Sequence, residues 1–426
     1  MQKCPAVIGL IDSIIERKLV PVPLEFCHWR YGARILRVAD MQNQVPIQFT
    51  TPSELALLRA ALLEGPAAAE AARGWLARQR NGEVGPGFHR LESGSRRLLP
   101  LLYRNVKASI PAEPRGELRK VHHDYWADNQ KRFRRLQELL AWFEANGIPT
   151  LVLKGMALSV LHYRDMALRP TSDLDILVPE DRAPEVVGLL QRDGWTTEDY
   201  LPSAPKKRYF YRHIHAIPLA RPDYGSLDLH WHVLTEATFR GADRPFWSDS
   251  VPLAVNNIKT RALNPTDQLL HACVHGFAVC DIAPIRWIAD AVTVLRTSQV
   301  DWTRLVNLSK QLHVTISLGA SLSFLRATFP TPIPAEAVEE IQAVRVDHAE
   351  RRYFETLVHR NSGWREVLAY NFERHRRANR DRNCILGIPS LLRQLQLHYN
   401  LPHIKDLGTL AFSRLGKRLR RENGQP

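Results

Sequence analysis

Ten residues constrain this chain more than any others: Arg169-Pro170-Thr171-Ser172-Asp173-Leu174-Asp175-Ile176-Leu177-Val178. Apolar and acidic side chains alternate through the second half of the segment, which is the period of a β-strand. Residues two apart on a strand face the same way, about 7 Å apart. Leu174, Ile176 and Val178 would therefore fill a core face while Asp173 and Asp175 share the other. Two carboxylates aimed together repel unless a cation sits between them, and a hard divalent metal suits oxygen ligands. A solvated edge strand would alternate in the same way, but two further segments weigh against that reading. Leu227-Asp228-Leu229-His230-Trp231-His232 also alternates, placing Asp228, His230 and His232 on one face. If the two strands adjoin, Asp228 becomes a third carboxylate at the same place. Upstream, Lys154-Gly155 follows the short apolar run Thr150–Leu153, where glycine, a helix start and a lysine suit a phosphate.

The rest of the chain arranges itself around this unit. Thr51-Pro52-Ser53-Glu54 has the pattern of a capped helix start, followed by Leu55, Leu58 and Leu62 and stopped by Gly65-Pro66. An Ala-rich helix ending near Asn81-Gly82 comes next. Residues 82–114 read as loop with one helix around Leu98–Tyr103. A long helix from about Glu117 to Asn146 carries Trp126, Phe133, Leu136, Leu140 and Phe143 on one stripe, and Asn146-Gly147 ends it. Then come a strand at 150–153, a helix at 156–162, the Asp-x-Asp strand at 173–178, a helix at 179–193, and strands at 208–219 and 226–233. From Asn264-Pro265-Thr266-Asp267 onward the chain reads as helix, with a Pro-rich break at 329–334. The fold class expected is α+β, a small mixed-sheet core flanked by helical regions. Its divisions fall at residues 1–114 (helical), 115–255 (α/β core with its leading helix) and 256–426 (helical, with a basic tail).

Composition narrows the setting. With 426 residues, 45% hydrophobic and 24% charged, the chain has the make-up of an ordinary globular protein. No apolar run approaches the ~20 residues needed to cross a bilayer, and no secretory leader is evident at the N-terminus. The five cysteines, Cys4, Cys27, Cys273, Cys280 and Cys384, show no Cys-x-x-Cys spacing, which points to a reducing compartment, the cytoplasm, and away from a cysteine zinc site. The net charge of +14 suggests nucleic acid at first sight. Residues 351–426, however, hold 16 Lys/Arg against 6 Asp/Glu, so the excess belongs mostly to the C-terminal segment.

Leu153-Lys154-Gly155, Tyr163, Arg169, the Ser172–Val178 strand and Leu227–Trp231 together resemble the bacterial uncharacterised nucleotidyltransferase family of the DNA polymerase β-like superfamily. The resemblance continues through Leu270-His271, His275-Gly276, Arg286–Asp290 and Asp301-Trp302, over roughly residues 115–310. Where the wider superfamily has a second small residue after the glycine, this chain has Met156, and eighteen positions separate Gly155 from Asp173. Both features fit the narrower family. The resemblance implies Asp173 and Asp175 as metal ligands, Asp228 as the third carboxylate and general base, and Mg2+ as cofactor, with two ions and Mn2+ as a substitute. Lys154 and Gly155 would cradle phosphates, Arg169 would counter charge on the triphosphate, and Ser172 would lie beside the nucleotide.

Each of these residues has a plainer use. Lys154 could pair with Asp165, Arg169 with an acid of the site, and Ser172 with its own turn. His230 and His232 form a His-x-His pair, and His271 and His275 sit four apart on one helix face; packing or hydrogen bonding suits both pairs better than metal. Trp287 and Trp302 read as core. The basic runs 374–382 and 414–421 read as solvated helix faces, the second also suiting RNA. The expected activity is metal-dependent transfer of a nucleoside monophosphate from a nucleoside triphosphate to an acceptor hydroxyl or phosphate, on a small molecule, a peptide or protein, or RNA. A non-catalytic nucleotide- or RNA-binding protein and a toxin-like tRNA-modifying transferase are the alternatives.

Overall fold

The computed structural model describes residues 49–80, 88–197, 207–276, 285–359, 364–379, 388–398, 401 and 403–408. The basic run 414–421, part of the run 374–382, and Cys4, Cys27, Cys280 and Cys384 lie outside them. Helix α1 (Pro52–Leu62) starts on the capping box foreseen: Glu54 N donates to Thr51 Oγ1 and Thr51 N to Glu54 Oε2. Helix α2 (Gly65–Arg80) follows, then a short α3 (Ser93–Arg96) and α4 (Leu99–Val106). Helix α5 (Ala112–Ala145) starts five residues earlier than its apolar stripe suggests, because Pro111 caps it and Pro114 sits in the first turn, where no amide donor is needed. Gly147, at φ +61, ends it.

Strand β1 (Leu151–Val152) leads into α6 (Lys154–Leu158), which widens into a π turn over Ser159–Tyr163. Strand β2 (Leu174–Leu177), α7 (Ala183–Arg192), α8 (Lys207–His213), β3 (Ala216–Arg221) and β4 (Gly225–His230) come next. They are followed by α9 (Arg244–Ser248), β5 (Val251–Val255), β6 (Ile258–Ala262), α10 (Pro265–His275) and α11 (Arg286–Thr297). Further described helices span Trp302–Leu312, Thr315–Thr328, Ala335–Ala343, His348–His359, Trp364–Ala378 and Ile388–His398. No described helix is long and apolar enough to cross a membrane.

The fold is mixed α/β, with one six-stranded sheet in the order β3-β4-β2-β1-β6-β5. Strands β2 and β4 are parallel neighbours, as are β1 and β6; the other pairs are antiparallel. Leu174, Ile176 and Val178 join α5 (Phe133, Leu136, Leu140, Phe143) and α7 (Val186, Leu190) in one core. A second core packs the N-terminal helices against α10, α11 and the helices after them, and takes Leu151, Leu153 and Leu177. The sheet thus lies between two apolar bodies, and the polar face of β2 and β4 is turned toward the second.

Several expectations need correction. Residues 207–213 are helix, not strand: Phe210 and Tyr211 bury against Trp231, at ring distances of 6.0 and 4.9 Å, and Trp231 Nε1 donates to the Tyr211 carbonyl at 2.7 Å. That packing needs both aromatics on one side, which a strand forbids. The strand begins only at Ala216. The hairpin β5–β6 was not foreseen, and it straddles the boundary at 255; β6 pairs with β1, so the sheet runs on to Ala262. Trp126 is exposed, and the α5 stripe is completed by Leu118, Leu139 and the buried Asn129. Arg377, placed on a solvated face, is buried and donates to the carbonyls of Glu236, Leu312 and His313.

Candidate active site

The site is assembled by the parallel pairing of β2 and β4. Their register sets Asp175 opposite Asp228, so the two carboxylates emerge side by side, and His230, two residues on, joins the same face. Asp175 is almost fully buried and Asp228 half-buried. His230 Nε2 lies 2.9 Å from Asp228 Oδ2 and 3.3 Å from Asp175 Oδ1, while its Nδ1 lies 3.4 Å from the His232 carbonyl. Lys154 completes the cluster: its Nζ lies 2.6 Å from Asp175 Oδ1, 3.3 Å from His230 Nε2 and 3.6 Å from Asp228 Oδ2.

The local chain explains how Lys154 reaches this place. It has φ +47, a left-handed conformation that costs a residue with a β-carbon roughly 1–2 kcal/mol. Gly155 does not share that conformation. A Cβ on Gly155 would lie 2.4 Å from Thr171 Cγ2 and 3.1 Å from Arg169 Nη1, so the glycine is required by close approach of the 169–171 segment. That segment is pinned from α5: Asn129 donates to the Arg169 carbonyl at 3.0 Å and accepts from Thr171 N and Oγ1 at 3.3 and 3.0 Å.

Charge accounts for the cluster's protonation. Burial works to raise the Asp175 pKa, but the Lys154 ammonium and His230 overcome it and hold it down at about 2. Asp228 is likewise held well below the carboxylate range, against burial, chiefly by His230 and Lys154. Burial opposes the charged forms of Lys154 and His230, yet the neighbouring carboxylates raise both above their usual values. Two carboxylates thus face an ammonium and an imidazole whose charged form they favour.

This cluster also passes a test for a divalent cation. One ligand atom each from Asp175, Asp228 and His230 lies within 4.8 Å of the others. The 2.9 and 3.3 Å separations match adjacent ligands on a six-coordinate ion with bonds of about 2.1 Å. Lys154 Nζ already holds a cation's position among them. Two carboxylates with an imidazole suit Mn2+ as well as Mg2+. Entry of a metal requires the Lys154 side chain to swing away and His230 to present a neutral imidazole.

Asp175 and Lys154 open onto a cavity of about 340 Å3, whose lining includes Gly155, Arg169, Ser172 and Asp173 and, from the helices, Arg97, His271, His275, Arg286 and Asp290. Asp173 precedes β2 and stands outside the Asp175–Asp228–His230 group. It accepts from Ser172 Oγ at 3.0 Å. Arg169 is buried and gives both oxygens of Asp290 a bond, Nε at 2.6 Å and Nη2 at 2.7 Å, with Nη1 on the Pro170 carbonyl at 3.0 Å. Tyr163 Oη donates to Asp290 Oδ1 at 2.9 Å. Lys154 pairs with Asp175 and Asp228; Asp165 accepts from the Ala167 amide instead. His232 leaves the cluster for Asp243, at 2.6 Å. His271 and His275 face the cavity with rings 5.9 Å apart, and burial, then His275 and Lys154, push His271 well below the usual range. The Trp287 ring packs where a Cβ on Gly276 would fall, 2.6 Å away.

Sequence reasoning weighed His230 mainly as packing and did not consider Asn129 or Arg97 at all. For His230 the signal was present, since it shares the Asp228 face with a strand's period. Arg97 lies 78 positions before Asp175, and no local pattern joins them.

No curated protein matches this chain. Among solved structures, an antigenic nucleotidyltransferase-like protein from Paracoccidioides brasiliensis is similar, with a TM-score of 0.31 and 14% identity over 52% of this chain and 96% of that one. Residues 94–330, more than half of the chain and the whole of the cavity lining, match the family described as "Uncharacterised nucleotidyltransferase". The chain belongs to that uncharacterised nucleotidyltransferase family and is by that membership a transferase.

Proposed function

We propose that this protein is a metal-dependent nucleotidyltransferase of the cytoplasm, moving a nucleoside monophosphate from a nucleoside triphosphate to an acceptor hydroxyl or phosphate. The observation that carries the reading is the Asp175–Asp228 pair, in register on adjoining strands, joined by His230 and Lys154 beside the cavity. Asp175, Asp228 and His230 would hold the cation, and Asp173 on the cavity wall would serve a second ion held largely by the triphosphate. A divalent cation there supplies a Lewis acid for the α-phosphate and lowers the pKa of the attacking hydroxyl.

The chain's own groups do the rest. Lys154, once released from the carboxylates, carries its ammonium to the donor phosphates across the cavity. Asp228, the more exposed carboxylate, uses Oδ1 to accept the proton of the acceptor hydroxyl. Arg169 acts at one remove: clamped by Asp290 and Tyr163, it braces the loop that presents Ser172 and Asp173. The buried Asn129 braces the same loop from the other side. Helices α10 and α11 supply part of the cavity wall.

The test is pyrophosphate release and label transfer from each nucleoside triphosphate, with Mg2+ or Mn2+, by the full chain and by Asp175→Ala and Asp228→Ala. Activity lost in both variants supports the reading; equal activity in all three rejects it. One observation favours a second reading, a metal-free nucleotide-binding protein: Lys154 Nζ and His230 Nε2 already lie against the two carboxylates. Calorimetry separates the two, since such a binder takes nucleotide equally with and without metal.

A further inference from the structure

The ionised side chains of the cavity wall divide into four cations, Lys154, Arg97, Arg169 and Arg286, and three carboxylates, Asp173, Asp175 and Asp290. Lys154 is taken by Asp175 and Arg169 by Asp290. Arg97 and Arg286 are left, and among the described residues neither has a carboxylate within ion-pairing distance. Arg286 Nη1 donates to the Pro170 carbonyl at 3.2 Å, its one hydrogen bond among the described residues. Asp173 is the acid that remains on the wall, half-exposed and engaged by Ser172.

The two arginines come from opposite parts of the chain. Arg97 ends the short helix α3, and Arg286 opens α11. Both are half-buried; Arg169 acts on both charges and Arg97 on Arg286, while Asp173 opposes these effects on each without coming within ion-pairing distance. Burial, then Arg169 and Arg97, push the Arg286 pKa down to about 9 despite Asp290. Holding two guanidiniums together in a partly dry cavity is unfavourable without an anion between them. A guanidinium's planar fork matches phosphate oxygens two at a time.

We propose that Arg97 and Arg286 form an anion subsite that binds the β- and γ-phosphates of the donor nucleotide and then holds the pyrophosphate that departs. This rests on the nucleotidyltransferase reading for the identity of the anion; the subsite itself rests on the two unpaired guanidiniums. The reaction balances as an ordinary substitution: the acceptor oxygen bonds to the α-phosphorus, the α–β bridging bond breaks, and its electron pair leaves with pyrophosphate. Arg97 and Arg286 stabilise the charge that collects on that leaving group. A phosphate carried by the acceptor offers the same chemistry, and the experiment separates the two sources.

Calorimetric titrations with pyrophosphate, ATP and AMP are run on the full chain and on Arg97→Met, Arg286→Met, Arg286→Lys and Asp175→Asn, with circular dichroism confirming the fold. Each Met variant should weaken pyrophosphate and ATP about tenfold or more and AMP less than about threefold, the size expected for a charge-assisted contact. Arg286→Lys should recover part of the loss and serves if Arg286→Met fails to fold. Asp175→Asn should keep pyrophosphate binding while losing transfer. Pyrophosphate binding that is equal in wild type and both Met variants overturns the proposal. So does a pyrophosphate loss with ATP unchanged, which assigns the arginines to the acceptor, or an AMP loss as large as that of ATP. If wild type transfers no nucleotide yet Arg-dependent pyrophosphate binding holds, the function reading fails and the subsite stands. If transfer occurs and the arginines leave pyrophosphate binding untouched, the subsite alone fails.

Discussion

Asp290→Asn should be one of the most damaging single changes in the molecule, and the structure gives the size of the effect. Asp290 receives two bonds from Arg169, at 2.6 and 2.7 Å, and one from Tyr163 at 2.9 Å. The Arg169 and Asp290 side chains are 5% and 7% exposed, so water cannot replace what is lost. An asparagine keeps the shape but removes the charge and turns one acceptor into a donor facing the guanidinium. Stranding a buried cation in this way costs about 3–5 kcal/mol, a large share of the ~5–15 kcal/mol by which proteins are folded. Equilibrium urea unfolding of wild type, Asp290→Asn, Arg169→Met and the double variant Arg169→Met/Asp290→Leu measures it. The double variant should be less destabilised than the sum of its parts by about 2 kcal/mol or more, since removing both partners strands neither. A loss under about 1 kcal/mol for Asp290→Asn, with nucleotide affinity falling more than about tenfold, would refute the reasoning and make Arg169 a direct nucleotide contact.

Other outcomes follow from neighbouring contacts. Gly155→Ala places a Cβ 2.4 Å from Thr171 Cγ2, and Thr171 is held by Asn129, so overpacking should cost about 1–3 kcal/mol in urea unfolding; adding Thr171→Ser, which removes that methyl, should return most of it. The Asp175 pKa is depressed to about 2 when folded, so its stabilisation is complete above about pH 4 and is lost as pH falls toward 2. Unfolding free energy between those values should slope less steeply in Asp175→Asn, and an unchanged slope would contradict the pairing. Lys154→Met removes the ammonium that occupies the carboxylate cluster, so Mn2+ should bind about tenfold tighter or better by calorimetry while nucleotide transfer falls.

How far these features were legible depends on the range of the physics behind them. The Asp175 and Asp228 strands are written in a two-residue period that survives folding, because one side of each strand must enter an apolar core. The Thr51–Glu54 cap is legible for a similar reason, since its hydrogen bonds span three residues. Residues 207–213 mislead because the aromatic run Tyr209-Phe210-Tyr211 suits a strand locally, while the deciding partner, Trp231, lies 20 positions beyond Tyr211. The β5–β6 hairpin had a usable signal, a two-residue Asn256-Asn257 turn with Asn256 at φ +52 between alternating segments. Lys154-Gly155 reads as a turn before a helix from Met156, yet both residues already belong to α6; the lysine takes the left-handed conformation, and the glycine is needed for space. Arg169 could be matched to Asp290, and Arg97 brought near Arg286, only by the packing of the N-terminal helices and α11 around the sheet.

The account stands on Asp175, Asp228 and His230 gripping a divalent cation beside a bound nucleotide. The most direct measurement is electron paramagnetic resonance of Mn2+ titrated into the protein in the presence of a non-hydrolysable nucleoside triphosphate, for wild type, Asp175→Asn and Asp228→Asn. Bound Mn2+ in the wild type, with affinity at least about tenfold weaker in each variant, is the predicted result. Identical binding curves for all three proteins would contradict it.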